Sequence, residues 1–488
     1  MSLSSVVVSE GAQLRDLSGE VLSYKTIQQN VDALASQLKE IFPQGAAIAV
    51  SLPNSPAWVV ADLAIQTAGM VSVPMPDFFT APQSSQVFQS ASVVGLIHRS
   101  GQAHGLLAVG AFRPVSEFDA YGLTISATAF SKAQGVVSVR YQKRTFTSGS
   151  TGTPKGIPIT LADQCDVAVT LAKALAPLKI QRHLSMLPLP VLLENIAGVY
   201  TALRSGIDVL VPDLSRVGLI GSSRFDPAAA IDLITEQAVE SMILLPQMLF
   251  AFVAFLSRTR RRLSSLKFVA VGGAHTPPTL IAQARTLGIP VYEGYGLSEA
   301  ASVVCLNLPG QDRPGSVGRP LAHRRVKTAD DGELLFSDTR GGPWLPTGDL
   351  GSLDAEGFVS IDGRKKNLLI TGYGRNVSPE WPETVLLGTG VFAQVMVYGE
   401  AAAHLSALVF PADARLSEAE ISAAVDAANA QLPDYAQIGT WHRLSQPCSA
   451  ANGLATPNGR IRRDLVIQRL AGRALPSHSH IALEEALP

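Results

Sequence analysis

Between Thr145 and Gly156 the chain reads TFTSGSTGTPKG. Gly149, Gly152 and Gly156 permit backbone conformations closed to other residues, so a loop built on them can turn many N–H groups toward one point. Thr147, Ser148, Ser150 and Thr151 add hydroxyl donors, and Lys155 adds a cation. Donors at this density around a cation suit a polyphosphate. The order is not that of a Walker loop, which has Lys directly after Gly and a hydroxyl residue directly after Lys; here Lys155 stands between Pro154 and Gly156. A flexible Ser/Gly surface loop is the plain alternative, but it requires no such order.

Further along come LPLPVLLEN (187–195), VGGA (271–274), YEGYGLSEA (292–300), PTGDLG (346–351), DGRKKNLLITGYGRNVSPEWPE (362–383) and TPNGRIRRD (456–464). Taken in this order with the Ser/Gly/Lys run, they closely resemble the signatures of the acyl-adenylate-forming superfamily: acyl-CoA synthetases, peptide-synthetase adenylation domains and firefly luciferase. The likeness extends from about Tyr24 to Asp464. It implies activation of a carboxylic acid by ATP, giving acyl-AMP and pyrophosphate, then transfer of the acyl group to a thiol, usually that of coenzyme A.

The same residues can be read physically. Tyr295 offers a flat face for adenine, and Gly294 and Gly296 let backbone approach the nucleotide. Ser298 can hydrogen-bond a phosphoryl oxygen, and Glu299 is a hard oxygen ligand suited to Mg²⁺. A carboxylate at Asp349 can accept from both ribose hydroxyls. Arg364 can pair with ribose or phosphate. The resemblance further implies nucleotide contacts at the turn Gly273–Ala274 and a hinge at Lys366. It also implies an acyl pocket lined by Val191, Leu192, Leu193 and Gly294. The plain alternatives are a helix-terminal carboxylate at Glu299, a turn Asp at Asp349, solvated cations at Arg364 and Lys366, and core packing for Leu192 and Leu193.

Three departures stand out. Arg460 occupies the position where the family normally has the lysine that promotes adenylation; charge is kept, but a planar fork replaces a point charge. Either Arg460 substitutes for that lysine, or it continues a solvated basic run with Arg462 and Arg463. The stretch from Leu334 to Pro346, between Glu333 and Thr347, is shorter than usual. The acid segment lacks the aromatic or His of many aryl and short-acyl enzymes and looks more like that of long-chain fatty acyl synthetases.

The elements that must position these residues alternate. Tyr24–Leu38 reads as an amphipathic helix, 46–52 as a strand, the stretch after Asn54 and Ser55 as a helix, and 71–76 as a strand. The same rhythm recurs at 208–213 and 266–273, which predicts parallel α/β layers. After about Pro309 short strand-like pieces appear at 333–336, 358–363 and 367–372. Strands at 391–399 and 405–411 and a helix at 416–432 follow. The expected class is α/β: a large N-terminal domain of layered α/β subdomains with a small β-barrel-like part, and a small mobile α+β C-terminal domain. The expected boundary gives a large ATP- and acid-binding domain over 1–365 and a small domain over 366–488. Arg473–Pro488 carries little pattern and is expected to fray.

Composition narrows the remaining classes. The 488 residues carry 39 Lys and Arg against 40 Asp and Glu, a balance without the basic footprint of a nucleic-acid binder. A 47% hydrophobic content excludes a wholly disordered chain. The longest apolar stretch, 242–256, is interrupted by Pro246 and Gln247 and is too short to span a bilayer. Arg258, Arg260, Arg261 and Arg262 follow it. They read as cations at the end of a buried helix, or alternatively as a weak peripheral membrane contact. Cys165, Cys305 and Cys448 are too few and too widely spaced for a disulfide framework or a zinc site. With no secretory signal in the first residues, a cytoplasmic location is expected. No third glycine completes a dinucleotide fingerprint in 294–299, and no G-x-S-x-G elbow occurs.

The expected activity is therefore acid–thiol ligation with ATP, Mg²⁺ and coenzyme A, acting on a medium- or long-chain acid. The alternatives are transfer to a carrier-protein thiol, β-lactone closure of a 3-hydroxy acid, or a nucleotide-binding module without turnover.

Overall fold

The computed structural model describes residues 3–77, 79–100, 104–128, 140–148, 154–220, 224–371, 375–402, 404–456, 459–470 and 480–481. The chain divides into two compact units. The first comprises Met1–Leu244, Phe255–Gly273 and Gly288–Val304; the second comprises Leu245–Ala254, Ala274–Leu287 and Cys305–Pro488.

In the first unit the alternating pattern becomes two largely parallel sheets. One runs in the order Arg113–Phe118, Leu123–Ala127, Val93–Arg99, Ala47–Ser51, Val71–Pro74, Lys143–Ser148 and Pro154–Ile159. Its centre is parallel and it ends in the antiparallel hairpin of Lys143–Ser148 with Pro154–Ile159. The other sheet places Val291–Leu297 beside Phe268–Val271, then Ser241–Leu244, Arg182–Leu184, Asp208–Leu210 and Gln13–Arg15, all parallel.

The helix Tyr24–Ile41 is capped by Ser23, whose side chain accepts from the Thr26 N–H, and it buries Ile27, Val31, Leu34 and Leu38 at helical spacing. The helix Pro56–Thr67 starts on the Ser55 cap with Pro at its first position. It is buried on every side from Pro56 to Gln66, so its one carboxylate, Asp62, is held out of water. The apolar stretch 242–256 proves to be two elements, the end of the strand Ser241–Leu244 and most of the helix Pro246–Thr259. Pro246 opens the helix because its missing N–H costs nothing there. Of the cations that follow, Arg261 pairs with Asp232 at 2.6 Å, and Arg258 lies over the Phe255 ring. Among the described residues no helix is long and apolar enough to cross a membrane.

In the second unit, Arg324–Thr328, Glu333–Asp338, Leu345–Leu353 and Val359–Arg364 form an antiparallel meander. The expected strand at 367–372 is shorter than the pattern suggested. Lys365–Asn367 is a single 3₁₀ turn, and only Leu369–Ile370 pairs, with Asn376–Val377. The remainder is α+β: a sheet in the order Phe392–Tyr398, Leu405–Pro411, Ile438–Leu444 and His480–Ile481. Both of its faces are covered. Val395, Val397, Ala407 and Val409 share a core with Leu386, Ile421 and Val425 from the helices Glu380–Gly388 and Glu418–Asn429. Met396, Leu408 and Leu444 share another with Leu454, Ala455, Val466 and Leu470, the last two on the helix Arg463–Leu470. Apart from His480 and Ile481, the tail expected to fray lies outside the described residues.

Candidate active site

The hairpin of Lys143–Ser148 with Pro154–Ile159 sets Thr147 opposite Lys155 and Ser148 opposite Pro154. Its connecting residues, including Gly149, Ser150, Thr151 and Gly152, lie outside the described residues. Gly156 answers to packing rather than to an unusual dihedral: a Cβ there would lie 2.9 Å from the Phe146 ring. Lys155 projects from the hairpin with its side chain 72% exposed, and its Nζ lies 3.6 Å from Glu299 Oε1.

Glu299 sits in the 3₁₀ turn Ser298–Ala300 that follows the strand Val291–Leu297. Ala301 and Ser302 then take φ of +60° and +130°, two strained positions in succession beside the carboxylate. Tyr295 and Ser298 are half-buried on this segment, and Gly294 is half-buried on the same strand. Glycine at Gly296 has a further reason within the fold: an added Cβ would lie 1.8 Å from the Ser302 carbonyl oxygen.

One exposed carboxylate beside one lysine fits Mg²⁺ that arrives on a nucleotide, since that ion keeps several waters and takes one or two carboxylates plus phosphate oxygens. It does not fit an all-protein cage: among the described residues no group of three or more His, Cys, Asp or Glu could hold a metal.

In the second unit the meander register sets Asp349 directly across from Arg364. Arg364 Nε lies 2.8 Å from Asp349 Oδ1, and Arg364 Nη1 donates to the Thr347 carbonyl at 3.2 Å. Asp349 is nearly buried, and its own N–H is held by Thr347 Oγ1. Arg364 thus pairs with Asp349 in this structure. The next residue, Lys365, is tied to Asp331 and Glu333 at 2.7 and 2.8 Å, whereas Lys366 is exposed. Gly273, at φ +84°, and Ala274 are exposed. The following His275 was not singled out in the sequence, and burial lowers its imidazole pKa.

In the acid segment, Leu192 is buried, and Val191 and Leu193 are half-buried at the head of Leu193–Tyr200. That element is a π-helix, a wound form often found at functional sites. Two polar clusters built on it had no role assigned from the sequence. Glu194 is fully buried and accepts the Met186 and Leu187 N–H groups at 3.1 and 2.9 Å. It thereby fixes the start of the L-P-L run. Asp62, Lys143, Asn195 and Tyr200 form a second, fully enclosed cluster. Lys143 Nζ is 2.8 Å from Asp62 Oδ2 and also bonds the Asn195 Oδ1, while Tyr200 and Ser72 donate to Asp62. Burial lowers the Lys143 pKa against the opposing pull of Asp62. The only sequence signal for this cluster was one Asp inside an otherwise apolar helix.

Arg460 is exposed, and its backbone returns to Thr456. Thr456 N–H donates to its carbonyl at 2.7 Å, and its own N–H reaches Thr456 Oγ1 at 3.1 Å. Its neighbour Arg463 is not solvated as a basic run would be. It bonds the buried Glu383 carboxylate and the Val397 carbonyl. The structure thus joins Lys155 with Glu299 and Asp349 with Arg364.

Known proteins resemble the chain along most of its length. The family model described as AMP-binding enzyme matches residues 12–342, and that described as AMP-binding enzyme C-terminal domain matches 366–473. A long-chain-fatty-acid–CoA ligase, FadD15, of Mycobacterium bovis is 26% identical, the match covering 85% of each chain. A 2-succinylbenzoate–CoA ligase of Bacillus subtilis is 30% identical over 52% of this chain and 55% of its own. The crystal structure of the anthranilate CoA ligase AuaEII with anthranoyl-AMP superposes with a TM-score of 0.77 at 17% identity, over 96% of this chain and 97% of that one. With the family model covering well over half of its residues, and the motif residues standing in family order, the chain belongs to the AMP-binding enzyme family.

Proposed function

We propose that this protein is an ATP-dependent acid–thiol ligase that makes acyl-AMP from a medium- or long-chain carboxylic acid and passes the acyl group to coenzyme A. The observation that carries the reading is the pair of Lys155 and Glu299, set 3.6 Å apart beside the Ser/Gly hairpin. In the first step a carboxylate oxygen attacks the α-phosphorus of ATP; that P–O bond forms and the bond to the pyrophosphate oxygen breaks. Little covalent help is needed, so the residues' task is to hold two anions in line and spread charge. Lys155 and the loop around Thr147, Ser148, Gly149, Ser150, Thr151 and Gly152 hold phosphates. Ser298 donates to one of them, and Tyr295, with Gly273, Ala274 and Gly296, faces the base. Asp349, oriented by Arg364, accepts from the ribose. Glu299 would hold Mg²⁺, which would neutralise phosphate charge. Arg460 meets the acid carboxylate and α-phosphate together. In the second step the coenzyme A thiol adds to the acyl carbonyl, AMP leaves, and the thiol proton is released.

The domains work as 1–365, holding ATP and acid, and 366–488, which changes pose between the steps about Lys366. Lys366 suits a hinge because both flanks are tied down: Arg364 and Lys365 by their ion pairs, and Asn367 by Glu380. Val191, Leu192, Leu193 and Gly294 line the acyl pocket, and the apolar character of the first three favours an alkyl chain. Work in a reducing cytoplasm is supported by three free cysteines, two of them buried.

The test is pyrophosphate release over a panel of acids, with and without coenzyme A, followed by product mass. Activity should rise with chain length, since each buried methylene adds about 0.8 kcal/mol, and then stop where the pocket ends. A preference for aryl or amino acids over C8–C16 chains refutes the pocket. A carrier-bound acyl group or a β-lactone refutes coenzyme A as acceptor. One observation, Arg in place of the usual lysine at 460, favours a nucleotide-binding module instead, and absence of pyrophosphate release with every acid would establish it.

A further inference from the structure

Arg460 has an exposed side chain, yet transition-state stabilisation requires it to be held in place. The backbone around it is tightly constrained. Gly459 N–H donates to the Thr456 carbonyl at 2.8 Å, and Arg462 N–H donates to the Leu454 carbonyl at 2.8 Å. A bridge between Ala455 and Ile461 closes the hairpin. Its incoming arm is anchored by Leu454 and Ala455, both buried in the core beside the helix Arg463–Leu470. Its outgoing arm is held less deeply, by Ile461 and Leu465, which are only partly buried against the same core. Polar contacts add direction to that anchor.

Arg463 opens that helix, three residues after Arg460. Its Nη1 donates to the Val397 carbonyl at 2.9 Å, and its Nη2 bonds Glu383 Oε1. Glu383 Oε1 also accepts the Val397 N–H at 2.6 Å. Carboxylate, guanidinium and both backbone groups of Val397 thus form a closed ring. It ties the outgoing arm of the hairpin to the strand Phe392–Tyr398 and the helix Glu380–Gly388. The side chains are only 11% and 16% exposed. A buried ion pair is weak as a source of stability and better attested as a device of specificity. A guanidinium reaching two acceptors at once fixes both direction and distance, which an ammonium does not.

We propose that Glu383 and Arg463 are positioning residues for Arg460: they set the place of its hairpin and thereby the rate of acyl-AMP formation, without touching the reactants. This rests on the adenylating role given to Arg460 above. Neither residue has a part in the second step.

The test uses the full chain and measures the half-reactions separately: acyl-AMP formation from acid and ATP, and thioester formation from supplied acyl-AMP. The variants are Glu383→Gln, which keeps volume and removes charge, and Arg463→Lys, which keeps charge and removes the fork. Arg460→Ala, alone and combined with each, is the reference. Each single variant should lower kcat for acyl-AMP formation about tenfold or more, which is about 1.4 kcal/mol of barrier. KM for acid and ATP and the thioester half-reaction should stay within about twofold. Because the pair acts through Arg460, adding either change to Arg460→Ala should cost nothing further, the non-additivity expected of coupled residues. Multiplying losses in the doubles, or equal falls in both half-reactions, would overturn the proposal and leave the ring as ordinary support. Normal adenylation in Arg460→Ala would overturn the role of Arg460 itself. Slow Arg460→Ala with fast Glu383→Gln and Arg463→Lys would overturn only the positioning. If Glu383→Gln fails to fold, Arg463→Lys carries the same comparisons, since Glu383 keeps a cation beside it.

Discussion

Replacing Lys143 by Met keeps the stem of the side chain and deletes its charge where no water can replace it. Lys143 and Asp62 are both fully buried, with Nζ and Oδ2 2.8 Å apart. At an effective dielectric constant of about 20, two charges at that separation attract by about 6 kcal/mol. Asp62 does not lose everything, however. Ser72 and Gln66 still donate to Oδ1, and Tyr200 and Asn195 to Oδ2. Breaking a buried pair generally costs about 3–5 kcal/mol, and with four donors remaining we expect the lower end, about 3 kcal/mol. Asp62→Asn should destabilise too, and the double variant should be milder than the sum, because it leaves no unpaired charge. Denaturant unfolding together with hydrogen exchange over 56–67 and 193–200 measures this in the unit concerned. Lys143→Met within about 1 kcal/mol of wild type, or additive single effects, would refute the argument. The cluster joins the strand that enters the Ser/Gly loop to the π-helix that follows the acid segment. Surviving Lys143→Met protein should therefore bind its acid less tightly.

Glu299→Gln should reduce Mg²⁺-dependent turnover severely with an unchanged melting temperature, since an amide is a poorer ligand for that ion and Glu299 is exposed; steady-state rates at varied Mg²⁺ decide this. Asp349→Ala should weaken ATP binding by about 1.5–3 kcal/mol, as loss of a charged hydrogen bond implies, and unchanged affinity by calorimetry refutes the ribose contact. His323 is half-buried, and burial, with Arg324 and Arg340 nearby, lowers its pKa from 6.5 to about 4. The folded state thus disfavours its protonation, so its contribution to stability is present above pH 6.5 and is lost as pH falls toward 4. His323→Gln should flatten the fall in melting temperature across that window.

The polar residues legible in the sequence were those in runs of unusual composition. Lys155, Glu299, Asp349 and Arg364 each stand among glycines or hydroxyl residues that have no place in a core. The strand at 405–411 and the helix near 416–432 were equally legible, because their apolar spacing survives in the folded faces. What stayed hidden is pairing between distant positions. Nothing local to Glu383 predicts Arg463, since the contact exists only once two elements pack on one sheet. Gly296 shows a requirement hidden in the same way: the Ser302 carbonyl, six residues on, leaves no room for a Cβ there, and only the folded strand brings the two together. The π-helix at 193–200 was illegible because apolar periodicity fixes a face and not the hydrogen-bond spacing.

The ion pairs of this chain fall into two kinds, and the difference bears on how the site works. Asp62 with Lys143 and Glu383 with Arg463 are enclosed, have additional hydrogen bonds, and lie behind segments that carry candidate reactive groups. Removing one partner of such a pair leaves a buried charge that hydrogen bonds compensate only in part, at a cost of about 3–5 kcal/mol. Lys155 with Glu299 is the reverse: long, exposed, and worth at most about 1 kcal/mol. A polyphosphate can take Lys155, and a phosphate-bound cation can take Glu299, with almost no cost for separating them. Within the first unit, then, the enclosed pair of Asp62 with Lys143 holds the strand that leads into the Ser/Gly hairpin, and the exposed pair of Lys155 with Glu299 on that hairpin is the one an arriving anion can open.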